Sequence, residues 1–295
     1  MFLDFKQLSA SEKQSWLNSA IGPRPICFAS TMDANGQVNL APFSYFNLFS
    51  SNPPIVIFSP LKSANENPLK HTLQNVIEHP ECVINIVDYS MVAQMSLSSC
   101  AYPKAIDEFT KSGFTKAAAT MVQPPLVKEA KIQLECKVIE IKSLGDGPGA
   151  GQLVIAEVLC MHVAESVLGN DKKINPAQLN LVARLGGDWY CKVDAFNLFE
   201  INKPNKQLGM GIDQLPEGIR NSQILTGNHL GLLANYHELP AVDPAFNDER
   251  LKNIIQYYGI SPTEMERELH LYAAELLNDN RIETAWQILI SLENV

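Results

Sequence analysis

Two short segments carry side chains whose types and spacing suit ligand chemistry. Asn39-Leu-Ala-Pro-Phe-Ser-Tyr-Phe-Asn47 mixes small residues, two amides and three aromatics, too polar for a core and too apolar for a loop. A planar aromatic ligand with a polar rim suits such a stretch. Small residues let backbone amides approach a ring, and amides and hydroxyls pair with its edge. An irregular strand kinked at Pro42 accounts for the same composition equally well. The second segment runs from Asn67 to Thr72 and opens an amphipathic pattern ending at Ile77, with Asn67 as N-cap and Pro68 at the first helical position. Helix amides, the positive dipole end, Lys70 and Thr72 would together hold a phosphate. Alone, this reads as an ordinary capped surface helix. Beside the first segment, it supplies a phosphate end for one ligand.

Other motifs fail on context. Gly145-Asp-Gly-Pro-Gly-Ala-Gly151 precedes a strand-like run, where a phosphate loop needs a helix start, so it is a flexible hairpin loop. The six histidines show no His-Glu-x-x-His spacing, and no Cys/His spacing resembles a zinc site, so no metal is expected. Ser30-Thr31 and Ser98-Ser99 lack the glycines of a nucleophile elbow.

The elements that must position the two segments are mostly strands between residues 24 and 195. Arg24-Pro-Ile-Cys-Phe-Ala-Ser-Thr31 and Gln37-Val-Asn-Leu-Ala41 flank an Asn-Gly turn, a hairpin signal. Residues 54–59 and 82–87 are continuous apolar runs typical of buried strands. Residues 131–138 alternate, Ile139 breaks phase and predicts a bulge, and 152–161 completes a long hairpin. A helix is predicted over Ser90–Ser98. Many hairpin-linked strands with few helices favour an antiparallel barrel. Beyond about residue 205 the pattern turns helical: Asp248–Tyr258 stopping at Gly259, a capping box Ser261-Pro-Thr-Glu264 opening the next helix, and a last helix lined by Ile282, Ala285, Trp286, Leu289 and Ile290. The expected division is a barrel over 1–205 and a helical extension over 206–295.

Bulk properties limit the function classes. A net charge of −9 argues against nucleic-acid binding, which needs a basic face. The six cysteines, at 27, 82, 100, 136, 160 and 191, lie far apart and mostly in apolar runs, as buried reduced thiols do. No run approaches membrane-spanning length and Met1-Phe-Leu-Asp-Phe-Lys lacks signal-peptide character, so a cytoplasmic setting is expected.

Arg24-Pro-Ile-x-Phe-Ala-Ser-Thr31, Asp33-x-Asn-Gly36, Asn39-x-Ala-Pro-Phe-Ser-x-Phe-Asn47, Asn52-Pro-Pro54, Phe58-Ser-Pro60, Lys70-His-Thr-Leu-Gln-Asn75 and Arg184-Leu-Gly-Gly-Asp-Trp-Tyr190 resemble, in order and spacing, the flavin reductase-like FMN-binding split-barrel family, in particular its flavoredoxin-like subgroup. The resemblance spans some two hundred residues and leaves the last seventy or so as an extension. It implies a mainly β, Greek-key split barrel with peripheral helices, a homodimer, and FMN near the subunit interface. Ser30 and Thr31 are implied to lie beside the flavin. Asn39, Ala41, Ser44, Tyr45, Phe46 and Asn47 are implied to wrap its ring and ribityl chain, and Ser59, Lys70 and Thr72 to hold its phosphate. Arg184 is implied to close the pocket or touch the ligand. His71 departs from the family pattern, which often has Asp there. The implied activity is an oxidoreductase passing hydride from NAD(P)H to bound FMN and on to an acceptor; the alternative is an FMN electron carrier serving a redox protein without nicotinamide turnover. Because the cofactor would carry that chemistry, no acid–base dyad is needed. A third reading gives the C-terminal helices a structural or assembly role.

Overall fold

The computed structural model describes residues 1–63, 69–201 and 207–291. The chain divides into two compact units, 1–198 and 199–295.

The first unit opens with α1 (Ala10–Ala20), whose N-cap Ser9 and Glu12 form a reciprocal capping box. Seven strands then make one antiparallel sheet: β1 (Cys27–Met32), β2 (Val38–Phe43), β3 (Phe46–Ser51), β4 (Pro54–Phe58), β5 (Glu81–Ile86), β8 (Ile132–Ser143) and β9 (Gln152–Val163). Two-residue strands β6 (Lys116–Ala117) and β7 (Leu126–Val127) pair with each other beside it. Along the sheet the order is β2-β1-β5-β8-β9-β4-β3. The strands at its two edges, β2 and β3, are therefore neighbours in sequence, and only Ser44 and Tyr45 separate them. Three Cα steps span at most about 11 Å. The sheet must roll until its edges nearly meet, yet no ladder joins them: this is a split barrel.

Alternation along the strands fills the barrel. Cys27 and Ala29 of β1, Cys82 and Ile84 of β5, Leu134, Cys136 and Val138 of β8, Val154 and Ala156 of β9, and Val56 and Phe58 of β4 form one buried cluster. Leu73 and Val76 belong to the same cluster, from α2 (His71–Glu78). The other face of β1 is covered too: Ile26 and Phe28 pack with Met91, Met95, Phe109 and Phe114 around α3 (Val92–Leu97) and α4 (Glu108–Ser112). With both faces buried, β1 has no polar stripe, which is why its sequence reads as a continuous apolar run.

The hairpin signals hold, with β1 and β2 paired from Cys27 opposite Phe43 to Met32 opposite Val38. The bulge expected at Ile139 is present as a register shift between Val138 and Glu140. A second shift between Glu135 and Cys136 falls inside the stretch that alternates cleanly in sequence. Residues 145–151 form the β8–β9 loop and fold back on the segment after β4, where Gly149 N–H donates to Lys62 O (2.9 Å) and Gln152 N–H to Pro60 O (3.0 Å). The unit ends with α5 (Pro176–Leu179), β10 (Val182–Arg184) and β11 (Tyr190–Lys192).

One helix start differs from expectation. α2 begins at His71 with Lys70 as N-cap and no side-chain cap bond. Asn67 and Pro68 lie outside the described residues.

The second unit contains α6 (Glu217–Arg220), α7 (Gly227–Ala234), α8 (Glu249–Tyr258), α9 (Pro262–Asn278) and α10 (Ile282–Ile290) around its own core of Leu233, Leu269, Ala273, Leu276 and the fully buried Trp286. The expected capping box at Ser261 does not form. Ser261 makes no side-chain cap bond, and its N–H donates to Tyr258 O (2.8 Å), so Glu264 finds no partner there. No helix among the described residues is long and apolar enough to cross a membrane.

Candidate functional site

The β1–β2 ladder sets Thr31 opposite Asn39 and Ala29 opposite Ala41, on strands against which α2 packs. Two side-chain bonds tie that helix to the hairpin. Asn39 Nδ2 donates to Thr72 Oγ1 (2.8 Å) and Asn75 Nδ2 to Thr31 Oγ1 (3.1 Å). All four residues are buried, and each amide–hydroxyl pair satisfies groups that would otherwise be costly to desolvate. Thr72 and Asn75 stand three residues apart on one helical face, which turns them to the same sheet. The Thr72 hydroxyl accepts from Asn39 and keeps its own proton to donate.

The start of α2 is electropositive. Leu73 and Gln74 N–H both donate to Lys70 O (2.9 and 3.1 Å), leaving the His71 and Thr72 N–H groups outside the helix ladder. Lys70 is exposed and His71 half-buried. Burial, reinforced by the charges of Lys104 and Lys70, holds the His71 imidazole below its ordinary pKa, so the ring is neutral at pH 7. Lys104 also pairs with Asp33 (3.3 Å). An anion here would meet helix amides, two lysines and the Thr72 hydroxyl.

A second group forms the corner that joins the barrel's edges. Ser59 N–H donates to Tyr45 O (2.8 Å), pinning the corner to the end of β4. The Tyr45 hydroxyl donates to Asn18 Oδ1 of α1 (2.9 Å), and the Arg24 guanidinium lies 6.0 Å from the Tyr45 ring centre. Phe46 packs against the barrel core, and Phe43 meets Phe58 at 5.4 Å. The Ser59 hydroxyl is buried and has no hydrogen-bond partner among the described residues. A Cβ at Gly151 would lie 2.8 Å from that hydroxyl, so the glycine-rich loop reaches this site by backbone alone. Such an orphaned donor calls for a ligand.

Three more of the expected site residues make contacts of their own within the chain. Ser30 lies on the opposite face of β1 from Thr31 and donates to Pro125 O, so its hydroxyl holds a loop. Asn47 is exposed, and its Oδ1 accepts from Leu48 N–H (2.8 Å). Arg184 exchanges backbone bonds with Arg24 (2.8 and 2.9 Å), but its guanidinium stacks on Tyr190 at 4.5 Å. Sequence reasoning passed over Asn75, Lys104 and Arg24. Asn75 had a signal, a polar residue on the apolar face of α2; Lys104 had none, because only the fold brings it to His71.

The flavin reductase like domain family matches residues 21–179, more than half of the chain. The chain belongs to this family. An uncharacterized protein of Halalkalibacterium halodurans is 32% identical over 206 residues, covering 69% of this flavin reductase-like chain and 97% of the relative. Nitrilotriacetate monooxygenase component B from Bacillus cereus superimposes with a TM-score of 0.63 at 30% identity, over 68% of this chain and 98% of that one. Flavoredoxin of Desulfovibrio vulgaris shares the fold, with a TM-score of 0.52 at 20% identity over 61% of this chain and 91% of its own. The family match ends before the helical unit begins. Membership makes a flavin the group to test against the site, and its residues fit one: a buried orphan hydroxyl, a donor-ready threonine and a cationic helix start.

Proposed function

We propose that this flavin reductase-like protein binds FMN and acts as an FMN-dependent NAD(P)H oxidoreductase. The observation that carries the reading is the amide–hydroxyl pair Asn39–Thr72, set at the start of α2 beside Lys70. Thr72, Lys70 and the first amides of α2 hold the phosphate, with the Ser59 hydroxyl as a further donor. Asn39 orients Thr72 and so fixes where its proton points. Asn75 holds Thr31 by the same device, which keeps the Thr31 backbone rigid beside the ring. Ala41, Ser44, Tyr45 and Phe46 supply the wall, small enough along β2 for main-chain approach and aromatic at the corner. When bound, FMN supplies two-electron acceptance and delivery; the protein supplies position and exclusion of water. Ser30 and Asn47 support the wall through their loop and backbone bonds rather than by touching ligand.

The working form in this reading is a homodimer. Leu48 and Phe49 on edge strand β3, and Trp16 and Leu17 on α1, are large apolar residues left exposed on the single chain. The six free thiols agree with a reducing cytoplasm. Light scattering of the eluting protein checks the dimer. Anaerobic titration with NADH and then NADPH tests the activity: loss of the flavin's visible absorbance with either supports it. A flavin that stays oxidised with both nucleotides, yet is reduced by a ferredoxin-like protein, overturns the nicotinamide step in favour of an electron carrier.

A further inference from the structure

A second cluster shares no residue with the proposed flavin site. Glu135 on β8 stands opposite Cys160 on β9, and His162 is two residues further along that strand, on the same face. The donor atoms of all three lie within 4.8 Å of one another. Nε2 of His162 is 2.5 Å from Glu135 Oε1 and 4.0 Å from Cys160 Sγ. Glu135 is fully buried, while Cys160 and His162 open to solvent on one side.

We propose that Glu135, Cys160 and His162 form a binding site for a thiophilic divalent cation of the zinc class. The carboxylate is already built as a ligand. Thr120 N–H donates to Oε1 (2.8 Å), and Met121 and Val122 N–H donate to Oε2 (2.5 and 3.1 Å). Those three bonds fix its plane and leave one lone pair of Oε1, the one aimed at His162. The three N–H donors and His162 offset the cost of burying the Glu135 carboxylate. No Lys or Arg pairs with it among the described ion pairs. One carboxylate, one thiolate and one neutral imidazole balance a dication, and carboxylate, thiolate and imidazole are the donors zinc takes. Tetrahedral zinc distances separate ligand atoms by roughly 3.3–3.8 Å, so the thiol closes slightly and the imidazole backs off by under about 1 Å. On binding, the thiol proton leaves to solvent and the imidazole proton moves to Nδ1. The fourth position faces the solvent-open side. The second register shift, between Glu135 and Cys136, sits at this point and aims the carboxylate.

The test uses the full flavin-loaded chain after chelator treatment. Equilibrium dialysis against Zn2+ should give one metal per chain, and Co2+ should add a thiolate charge-transfer band in a difference spectrum taken against the metal-free protein. Cys160→Ser and His162→Gln should each weaken Zn2+ binding at least about tenfold, with the flavin spectrum intact, whereas Cys191→Ser should leave it unchanged. Should both variants misfold, alkylation of Cys160 in the unaltered protein, mapped by mass, decides: Zn2+ should slow it at least about tenfold. No saturable stoichiometry, no thiolate band, binding indifferent to both variants, or alkylation unaffected by Zn2+ would each overturn the site.

Discussion

Replacing Thr72 by valine separates the phosphate contact from the rest of flavin binding. The side chain is 1% exposed, and valine matches it in shape while replacing the hydroxyl by a methyl, so the loss is of hydrogen bonding and not of volume. Two things are lost. Asn39 Nδ2, now 2.8 Å from Oγ1, loses a buried acceptor, at about 1–3 kcal/mol of fold stability. The phosphate loses a hydrogen bond to a charged group, worth about 1.5–3 kcal/mol. At 1.4 kcal/mol per tenfold, FMN affinity should fall by about tenfold to somewhat over a hundredfold. Riboflavin has the same ring and ribityl chain but no phosphate, so its affinity should change less than about twofold. Quenching of flavin fluorescence on titration gives both dissociation constants. The melting temperature of the flavin-free variant reads the stability loss separately. Equal weakening of FMN and riboflavin would show that Thr72 acts through the hairpin and not on the phosphate; no weakening of either would remove Thr72 from the site. Either result refutes the assignment.

Three further outcomes are expected. Because the fold lowers the His71 pKa, the unfolded chain binds the extra proton first; that stability is complete above about 6.5 and is lost as pH falls below it, so His71→Gln should flatten the decline in melting temperature between about pH 7 and 5.5. Glu135 has the same sign of linkage at lower pH: its contribution is complete above the ordinary carboxyl value and is lost as pH falls toward about 2. Glu135→Gln should turn its carbonyl to the Met121 and Val122 N–H groups and leave Thr120 N–H facing the amide NH2, costing about 1–3 kcal/mol for the unpaired donor, and hydrogen exchange should show the Thr120 amide opening first. Trp286→Ala empties the centre of the helical unit at about 3–5 kcal/mol; calorimetry should show an early transition for that unit while flavin absorbance persists, and simultaneous loss of both would contradict two independent cores.

The barrel was legible where one face of a strand or the type of turn decides structure. The Asn35-Gly36 turn and the phase break at Ile139 each report a local backbone requirement, and both are met, with Gly36 at φ +82° and a register shift at Val138/Glu140. What sequence reading missed depends on partners distant in the chain. Ser261 lost its capping role to the Tyr258 carbonyl, and a helix-end pattern does not reveal that competitor. Ser30 and Thr31 read as one motif, but adjacent strand residues face opposite ways, and only Thr31 turns toward α2. Glu135 lies twenty-five residues from Cys160, a spacing set by hairpin register and invisible to any search for close Cys/His pairs.

The two-residue joint between β2 and β3 has a mechanical consequence. Ser44 and Tyr45 act as a tether of fixed length across the seam of the barrel, and the same residues stand in the proposed ring wall. The width of that wall is therefore governed by the barrel's circumference and not by a loop free to lengthen. A change in the width of the proposed ring cleft must come from sheet geometry, and the register shift between Leu48 and Ser50 is one point where β3 can adjust. Inserting a single glycine between Ser44 and Tyr45 would slacken the seam and loosen ring stacking before it disturbed the core.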